Sequence, residues 1–438
     1  MRWSSRLSFI LATASFAIGL GNIWRFPYIT GENGGGVFLL VYLILVILVG
    51  IPIFLIEMSL GRLSQSRPLV GFGKLANKPI WHWVGWLGVL TSLFIMFFYV
   101  MILAWIAIYG WEVLSGNVLG MENLGAYFEQ TSANVTKVGA VVCLILLACI
   151  LILKRGLQRG LEASTKWMMY SLFGIIIFLS IWAATLDNAM EGYRWYLTPT
   201  FEHLDISMLL TATGQLFFSV GVGMCVAFAF GSFTSKKENL ISAAYWVVIM
   251  DTLIAVIAGF MIFPAIFTYG LEPDSGPNLI FITMTAAFSH MPSGNLIGGL
   301  FFILLFLAGF SSLLTNIQGI KDSVVERFSL DDNKALVMVA ILVAIGSIPC
   351  IMSFSATPIS FYGETFYDII DGLTGKVMLP LGGLMIVIFG AHVVGYDKLI
   401  KHVLLGADSF VPSRLWKPIV QYVVPLLLTA LLINSLMT

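Results

Sequence analysis

Eleven stretches of this chain are apolar over roughly the length of a membrane-crossing helix, and no polar block between them is long enough to fold as a soluble domain. A crossing helix needs about 20 such residues. The stretches cover approximately residues 7–29, 36–60, 83–114, 137–153, 163–186, 206–233, 239–269, 295–325, 334–354, 365–393 and 415–437. Only 11% of the residues are charged and 59% are hydrophobic, whereas soluble domains are about 25% charged. The chain therefore reads as an all-α integral membrane protein with eleven transmembrane helices. The stretch at 83–114 is too long to stand upright and is expected to tilt. The first apolar run continues through Ala12-Thr13-Ala14 without a break, so a cleaved signal peptide is not expected.

The loops alternate in charge. One side carries Arg2 and Arg6; Arg62, Arg67, Lys74 and Lys78; Lys154, Arg155, Arg159 and Lys166; Lys236 and Lys237; Lys321, Arg327 and Lys334; and Lys398, Lys401, Arg414 and Lys417, which is 19 of the 23 basic residues. The other side keeps Arg25, Lys137, Arg194 and Lys376, with acids such as Glu122, Glu129, Asp187, Glu191, Glu272 and Asp274. The positive-inside rule then puts the N-terminus in the cytoplasm and, after eleven crossings, the C-terminus outside a cell membrane. Basic and acidic residues balance at 23 each, so the partner is the lipid bilayer and no nucleic acid is implied. Cys143, Cys149, Cys225 and Cys350 lie singly in apolar runs and read as small packing residues; the five histidines show no ligand spacing.

Two of the spans interrupt themselves. In "SFAIGLGNIWRFPY" (Ser15–Tyr28) the poor helix formers Gly19, Gly21 and Asn22 fall inside an apolar run, with Arg25 and Pro27 just beyond. In "GQLFFSVGVGMC" (Gly214–Cys225) Gly221 and Gly223 do the same in the sixth span. Five spans separate the two breaks, an odd number, so the second copy enters the membrane from the opposite side. That pattern predicts two inverted five-span repeats, residues 1–192 and 193–395, followed by an eleventh span in 396–438. Broken backbone at membrane depth is tolerated only where it lines a polar cavity. Amides at one half-helix start favour an anion, and carbonyls at the other half-helix end favour a cation. Asp251, in "YWVVIMDTLIAVIAGF", independently points to an ion path or a proton relay, because a carboxylate deep in an apolar span is costly. Glu57 is similar but nearer the basic-rich end of its span.

The run "AIGLGNIWRFPY" followed by "ENGGGVFLLVYLILVILVGIPIFLIEMSLGR" resembles the neurotransmitter:sodium symporter family, and within it the bacterial branch of hydrophobic amino-acid transporters. The likeness extends over all eleven spans. It implies the five-plus-five inverted-repeat (LeuT-type) fold with helices 1 and 6 broken, no enzymatic activity, and Na⁺-coupled symport of neutral hydrophobic or aromatic L-amino acids by alternating access. It also implies two Na⁺ sites. Ala17, Asn22, Ser219 and Asp251 match the first. Ser15, Ile18, Ala308, Ser311 and Ser312 match the second. All supply the hard oxygen ligands such a cation prefers. The substrate pocket matches Ala17, Leu20, Gly21, Ile95, Tyr99, Phe218, Ser219, Gly221, Met224, Ser312 and Asn316, with the Tyr99 hydroxyl holding the substrate carboxylate. Gly221 leaves room for a large side chain and Met224 adapts to it. Glu57 matches a residue that supports the second break.

The resemblance assigns Arg25 and Asp371 to an outer gate above an aromatic lid of Tyr99 and Phe218. Glu326 matches the acidic member of an inner gate. Its usual basic partner would stand three residues before Trp3, so either residues precede Met1 or Arg2 or Arg6 takes the role. Relatives often carry Gly-x9-Pro in the fifth span, which allows unwinding toward the second Na⁺ site; here Tyr170 follows Gly160 where proline would stand. No twelfth span is present to make a family-type dimer contact. Chloride-dependent relatives hold the anion with residues matching Tyr42, Gln215 and Ser219. Asp251 replaces a neutral asparagine, and Ala255 stands where some chloride-independent relatives have a glutamate, so Asp251 itself is expected to supply the negative charge. Monoamine carriers of the family place an aspartate at the position of Gly19, so this chain is expected to need a substrate that brings its own carboxylate. An ion channel or another zwitterion carrier are the alternative readings; a membrane enzyme would need a catalytic constellation, and none is evident.

Overall fold

The structure, a computed structural model, describes residues 3–271, 277–405 and 412–437. Glu272, Asp274 and Arg2 lie outside the described residues. The first apolar run forms α1 (Arg6–Ala17) and α2 (Gly21–Glu32), bent by 54° across Ile18–Leu20. Ser5 caps α1 by accepting from the Ser8 amide, and Ile18 leaves the helix in extended conformation. Then follow α3 (Gly36–Ser64), α4 (Pro79–Leu114), α5 (Val135–Leu153) and α6 (Leu157–Ala183). The sixth run gives α7 (Ile206–Val220) and α8 (Val226–Gly231). The remainder is α9 (Leu240–Thr268), α10 (Gly294–Phe328), α11 (Asp332–Met352), α12 (Phe366–Val403) and α13 (Ser413–Met437).

Among the described residues nine helices are individually long and apolar enough to cross a bilayer, and the bent pair α1–α2 makes ten. The expected crossing at 206–233 is split, because Gly221 (φ 67°), Gly223 (φ 98°) and Cys225 (φ 59°) adopt left-handed backbone that ends α7 and delays α8. Neither half alone spans a hydrocarbon core of about 30 Å; eleven crossings require the two halves to act as one. The tenth span also departs from the expected 365–393. Helix α12 continues to Val403 through π-helical turns at Leu373–Met378 and Phe389–Gly395. In the fifth span irregular backbone appears upstream of Tyr170, which faces outward and is exposed. Gly156 (φ 79°) precedes a π-helical turn at Leu157–Glu162. A short antiparallel hairpin, Ser360–Phe361 with Glu364–Thr365, joins α11 to α12.

The two broken spans run antiparallel at the centre of the bundle. Trp3, before α1, packs against Phe230 in α8 with ring centroids 5.4 Å apart, while Gln215 in α7 donates through Nε2 to the Gly21 carbonyl at 3.2 Å. Helices α3, α9 and α10 wrap this pair, and their buried faces form the apolar core around it.

Candidate functional site

Residues 18–22 and 221–225, at the two breaks, are buried, so their backbone polar groups need partners. Glu57, fully buried in α3, serves the second break: its Oε2 accepts from the Gly223 amide at 3.1 Å and its Oε1 from the Phe228 amide at 3.4 Å. Glu57→Gln would turn one acceptor into an NH₂ group facing a backbone N–H. The cost is about 1–3 kcal/mol for a buried unsatisfied donor. A lowered melting temperature with Na⁺ affinity preserved is the expected result; an unchanged melting temperature would remove Glu57 from this role.

Beside the first break the structure brings Asn22, Ser219 and Asp251 together, all buried. Asn22 Nδ2 donates to Asp251 Oδ1 at 2.7 Å, and it lies 2.9 Å from the Asp251 carbonyl and 3.1 Å from Ser219 Oγ. Ser219 Oγ donates to Asp251 Oδ2 at 2.9 Å. Asn22 Oδ1 meanwhile accepts from the Gly19 amide at 3.0 Å. For that oxygen to ligate a cation held by Asp251, the side-chain amide turns over and its two N–H donors give way to the ion.

A second oxygen cluster lies where α10 meets the end of α1. Ser312 Oγ approaches the carbonyls of Ser15 (3.0 Å), Phe16 (3.3 Å) and Ile18 (3.0 Å). Ser311 Oγ donates to the Ala308 carbonyl at 3.0 Å and lies 3.5 Å from that of Ser15. The five residues of the second expected Na⁺ set thus converge on one spot, and the donors are all neutral oxygens, which suits a monovalent hard cation. No cluster of three His, Cys, Asp or Glu residues that would hold a different metal occurs among the described residues.

Between the two clusters is a small cavity of about 40 Å³, lined by Ala17, Leu20, Gly21, Ile95, Tyr99, Phe218, Ser219, Gly221, Met224, Ser312 and Asn316. It therefore gathers every expected pocket residue. Phe16, Gly19 and Met96 line it as well. Phe16 corrects one expectation. A Cβ on Gly221 would stand 2.3 Å from Phe16 Cζ, and the backbone there is left-handed, so Gly221 marks a close approach and provides no spare room. Tyr99 Oη accepts from the Leu20 amide at 3.4 Å. Asn316 is tied down, accepting from Ser92 Oγ at 2.8 Å and donating to the Ser312 carbonyl at 2.8 Å.

Above this pocket a wider cavity of about 440 Å³ shares Leu20, Gly21, Tyr99 and Phe218 with it and rises past Arg25 to Asp371 and Lys376. Arg25 and Asp371 face the same space but form no salt bridge among the described residues. The Arg25 guanidinium instead lies 4.4 Å above the Phe218 ring centroid, a cation–π contact. At the opposite end the chain is packed shut. Trp3 sits against Phe9, Phe230 and Phe233. Glu326 accepts from the Arg67 backbone amide at 2.5 Å. The Arg67 side chain donates to Ser232 Oγ at 2.8 Å and lies 3.7 Å over the Phe233 ring. Burial pushes the Arg67 pKa down, opposed by Asp322 and Glu326. Arg6 does not reach Glu326; it bonds Ser242. The basic neighbour of Glu326 is thus Arg67, from the loop after α3.

A membrane bundle with two antiparallel broken helices, oxygen clusters at both breaks and a vestibule above a closed pocket defines a secondary transporter. The sequence profile described as the sodium:neurotransmitter symporter family matches residues 1–122 and 115–438. A sodium-dependent transporter of Bacillus subtilis, YhdH, is 31% identical over 99% of this chain and 97% of its own length. A sodium-dependent transporter of Methanocaldococcus jannaschii is 33% identical over 98% and 89%. The crystal structure of MhsT in complex with L-phenylalanine superposes with a TM-score of 0.90 at 35% identity, covering 99% of both chains. The chain belongs to the sodium:neurotransmitter symporter family. It is a sodium-coupled multi-pass membrane transporter with the MhsT-type fold, and not an enzyme.

Proposed function

We propose that the protein carries neutral, hydrophobic or aromatic L-amino acids together with Na⁺ at two sites, by alternating access and without chloride. One observation carries this reading: an apolar pocket floored by Tyr99 Oη and the Leu20 amide abuts a cluster containing a fully buried carboxylate, Asp251. A zwitterion's carboxylate fits between the amides and the first cation, and its apolar side chain fits toward Ile95, Met96 and Met224. The L-phenylalanine bound to MhsT supports the same substrate class. Ala17, Asn22, Ser219 and Asp251 would hold the first Na⁺; Ser15, Ile18, Ala308, Ser311 and Ser312 the second. Arg25 with Asp371 would close the outer vestibule, and Glu326 with Arg67 the inner face. The 19 basic residues on one side support a cytoplasmic N-terminus and an external C-terminus in the cell membrane. The two breaks and their opposite directions support the division into inverted repeats, residues 1–192 and 193–395, with an eleventh span in 396–438.

Uptake into proteoliposomes tests the reading. Saturable uptake of leucine or phenylalanine driven by an inward Na⁺ gradient, and absent with K⁺ replacing Na⁺, is expected. Flux unaffected by replacing Na⁺, or transport of a different zwitterion only, would overturn it. Pocket size is tested at Met224, because Gly221 cannot accept a side chain. Met224→Phe stiffens and narrows the cavity. Overpacking costs about 1–3 kcal/mol, so tryptophan should lose about 5- to 150-fold in competition while leucine changes little. Equal loss for both would refute the placement of the substrate side chain toward Met224.

A further inference from the structure

A second concave feature lies on the outer wall of the bundle, at the basic-rich face, and shares no lining residue with the transport pathway. It is a shallow groove, open to its surroundings, where the end of α5 meets the start of α11. Lys154, Asn333 and Lys334 form its polar rim, with Val337, Met338 and Ile341 below. Lys154 and Lys334 are exposed and have no acidic partner among the described residues. The nearby acids are already engaged. Asp331 accepts from the amides of Asn333 and Lys334, each at 3.1 Å, and Asp332 accepts from Lys321 Nζ at 2.8 Å.

The apolar part continues along the helix. Met338, Ile341, Ile345 and Ile348 follow Lys334 at helical spacing and are 36%, 51%, 59% and 50% exposed. At about 1.5 Å per residue, Lys334 to Ile348 extends about 21 Å, the reach of one acyl chain. Leu151, Leu147 and Leu144 form a parallel stripe on α5. We propose that this groove binds an anionic glycerophospholipid, its phosphate between Lys154 and Lys334, its headgroup hydroxyls at Asn333 and one chain along α11. A second copy of the chain fits less well. Apposed copies would bring lysine pairs together, and the stripe is made of isoleucine and methionine, whereas close helix contacts in membranes use small residues.

The test uses the full chain in mild detergent, with phosphatidylglycerol and phosphatidylcholine of the same acyl chains, read by native mass spectrometry. One phosphatidylglycerol should be retained in preference to phosphatidylcholine. Lysines near a membrane surface are worth about 1 kcal/mol each. Lys154→Gln with Lys334→Gln should therefore weaken phosphatidylglycerol binding about thirtyfold (about 2 kcal/mol). Substrate binding and the melting temperature in phosphatidylcholine should be unchanged. The control pair Lys398→Gln with Lys401→Gln should leave the preference intact. Raised ionic strength should weaken phosphatidylglycerol but not phosphatidylcholine. Equal retention of both lipids, equal loss in the control pair, or an unchanged preference in the test pair would overturn the proposal. So would a lipid-independent dimer that the test pair dissolves.

Discussion

Asp251→Asn should convert chloride-independent transport into chloride-dependent transport. The side chain is fully buried and receives hydrogen bonds from both Asn22 and Ser219. Asparagine keeps an oxygen for Asn22 and nearly the same shape, so the fold should survive. What is lost is one negative charge within ligand distance of the first cation. At 4 Å and an effective dielectric of 20 a unit charge is worth about 4 kcal/mol. Discounting for relaxation, Na⁺ activation in chloride-free gluconate should weaken about 10- to 1000-fold. Chloride should restore part of the loss. Among the described residues the buried Tyr42 Oη makes no hydrogen bond, and Gln215 stands in the same set, so a donor next to Ser219 is available to an anion once the carboxylate charge is gone. The wild type should transport equally in chloride and gluconate. Loss of wild-type uptake on removing chloride, or Asp251→Asn activity indifferent to it, would show that Asp251 does not supply the charge.

How far the sequence reveals this site differs residue by residue. The breaks are legible because Gly19, Gly21, Gly221 and Gly223 interrupt apolar runs where nothing else explains poor helix formers. Asp251 and Glu57 are legible because a carboxylate in an apolar span has few reasons to be there. The meeting of Asn22 with Ser219 and Asp251 is different: it joins residues in three separate spans, and no local pattern encodes it. Family resemblance alone groups them. Phe16 and Met96 gave no signal, since a Phe or Met in an apolar run reads as ordinary packing. The extension of α12 to Val403 is not legible in the sequence, because a π-helical turn shifts register without changing residue type, and Lys398 and Lys401 read as a loop. Arg67 as the basic neighbour of Glu326 has no local signal, because the two lie 259 positions apart in sequence. The loop ahead of Pro68 turns back toward the end of α10, and that is a matter of packing.

Tryptamine should compete at least about a hundredfold more weakly than tryptophan for uptake. The pocket offers donors, and among the described residues that line it no anion of its own, where a substrate carboxylate would lie. Tyr99 Oη and the Leu20 amide are 3.4 Å apart, a long bond that an intervening carboxylate could replace with two charge-assisted ones. These amides open α2, where the positive end of the helix dipole favours an anion. The protein has no room to supply the anion itself. A Cβ on Gly19 would meet Ser312 Oγ at 2.8 Å and Tyr99 Oη at 2.9 Å, so an acidic side chain there would displace both the hydroxyl donor and the second cation cluster. An amine lacking the carboxylate leaves those donors and the first Na⁺ without their acceptor. Hydrogen bonds to charged groups are worth about 1.5–3 kcal/mol each, and losing two corresponds to about a 140- to 20,000-fold loss of affinity. Inhibition of labelled leucine uptake in proteoliposomes by graded tryptophan and tryptamine measures the ratio. Gly19→Asp should abolish uptake and not rescue the amine, because the intruding side chain breaks the contacts of Ser312 with Ser15 and Ile18. Comparable inhibition by the two compounds would mean that the carboxylate is not what Tyr99 and the Leu20 amide recognise.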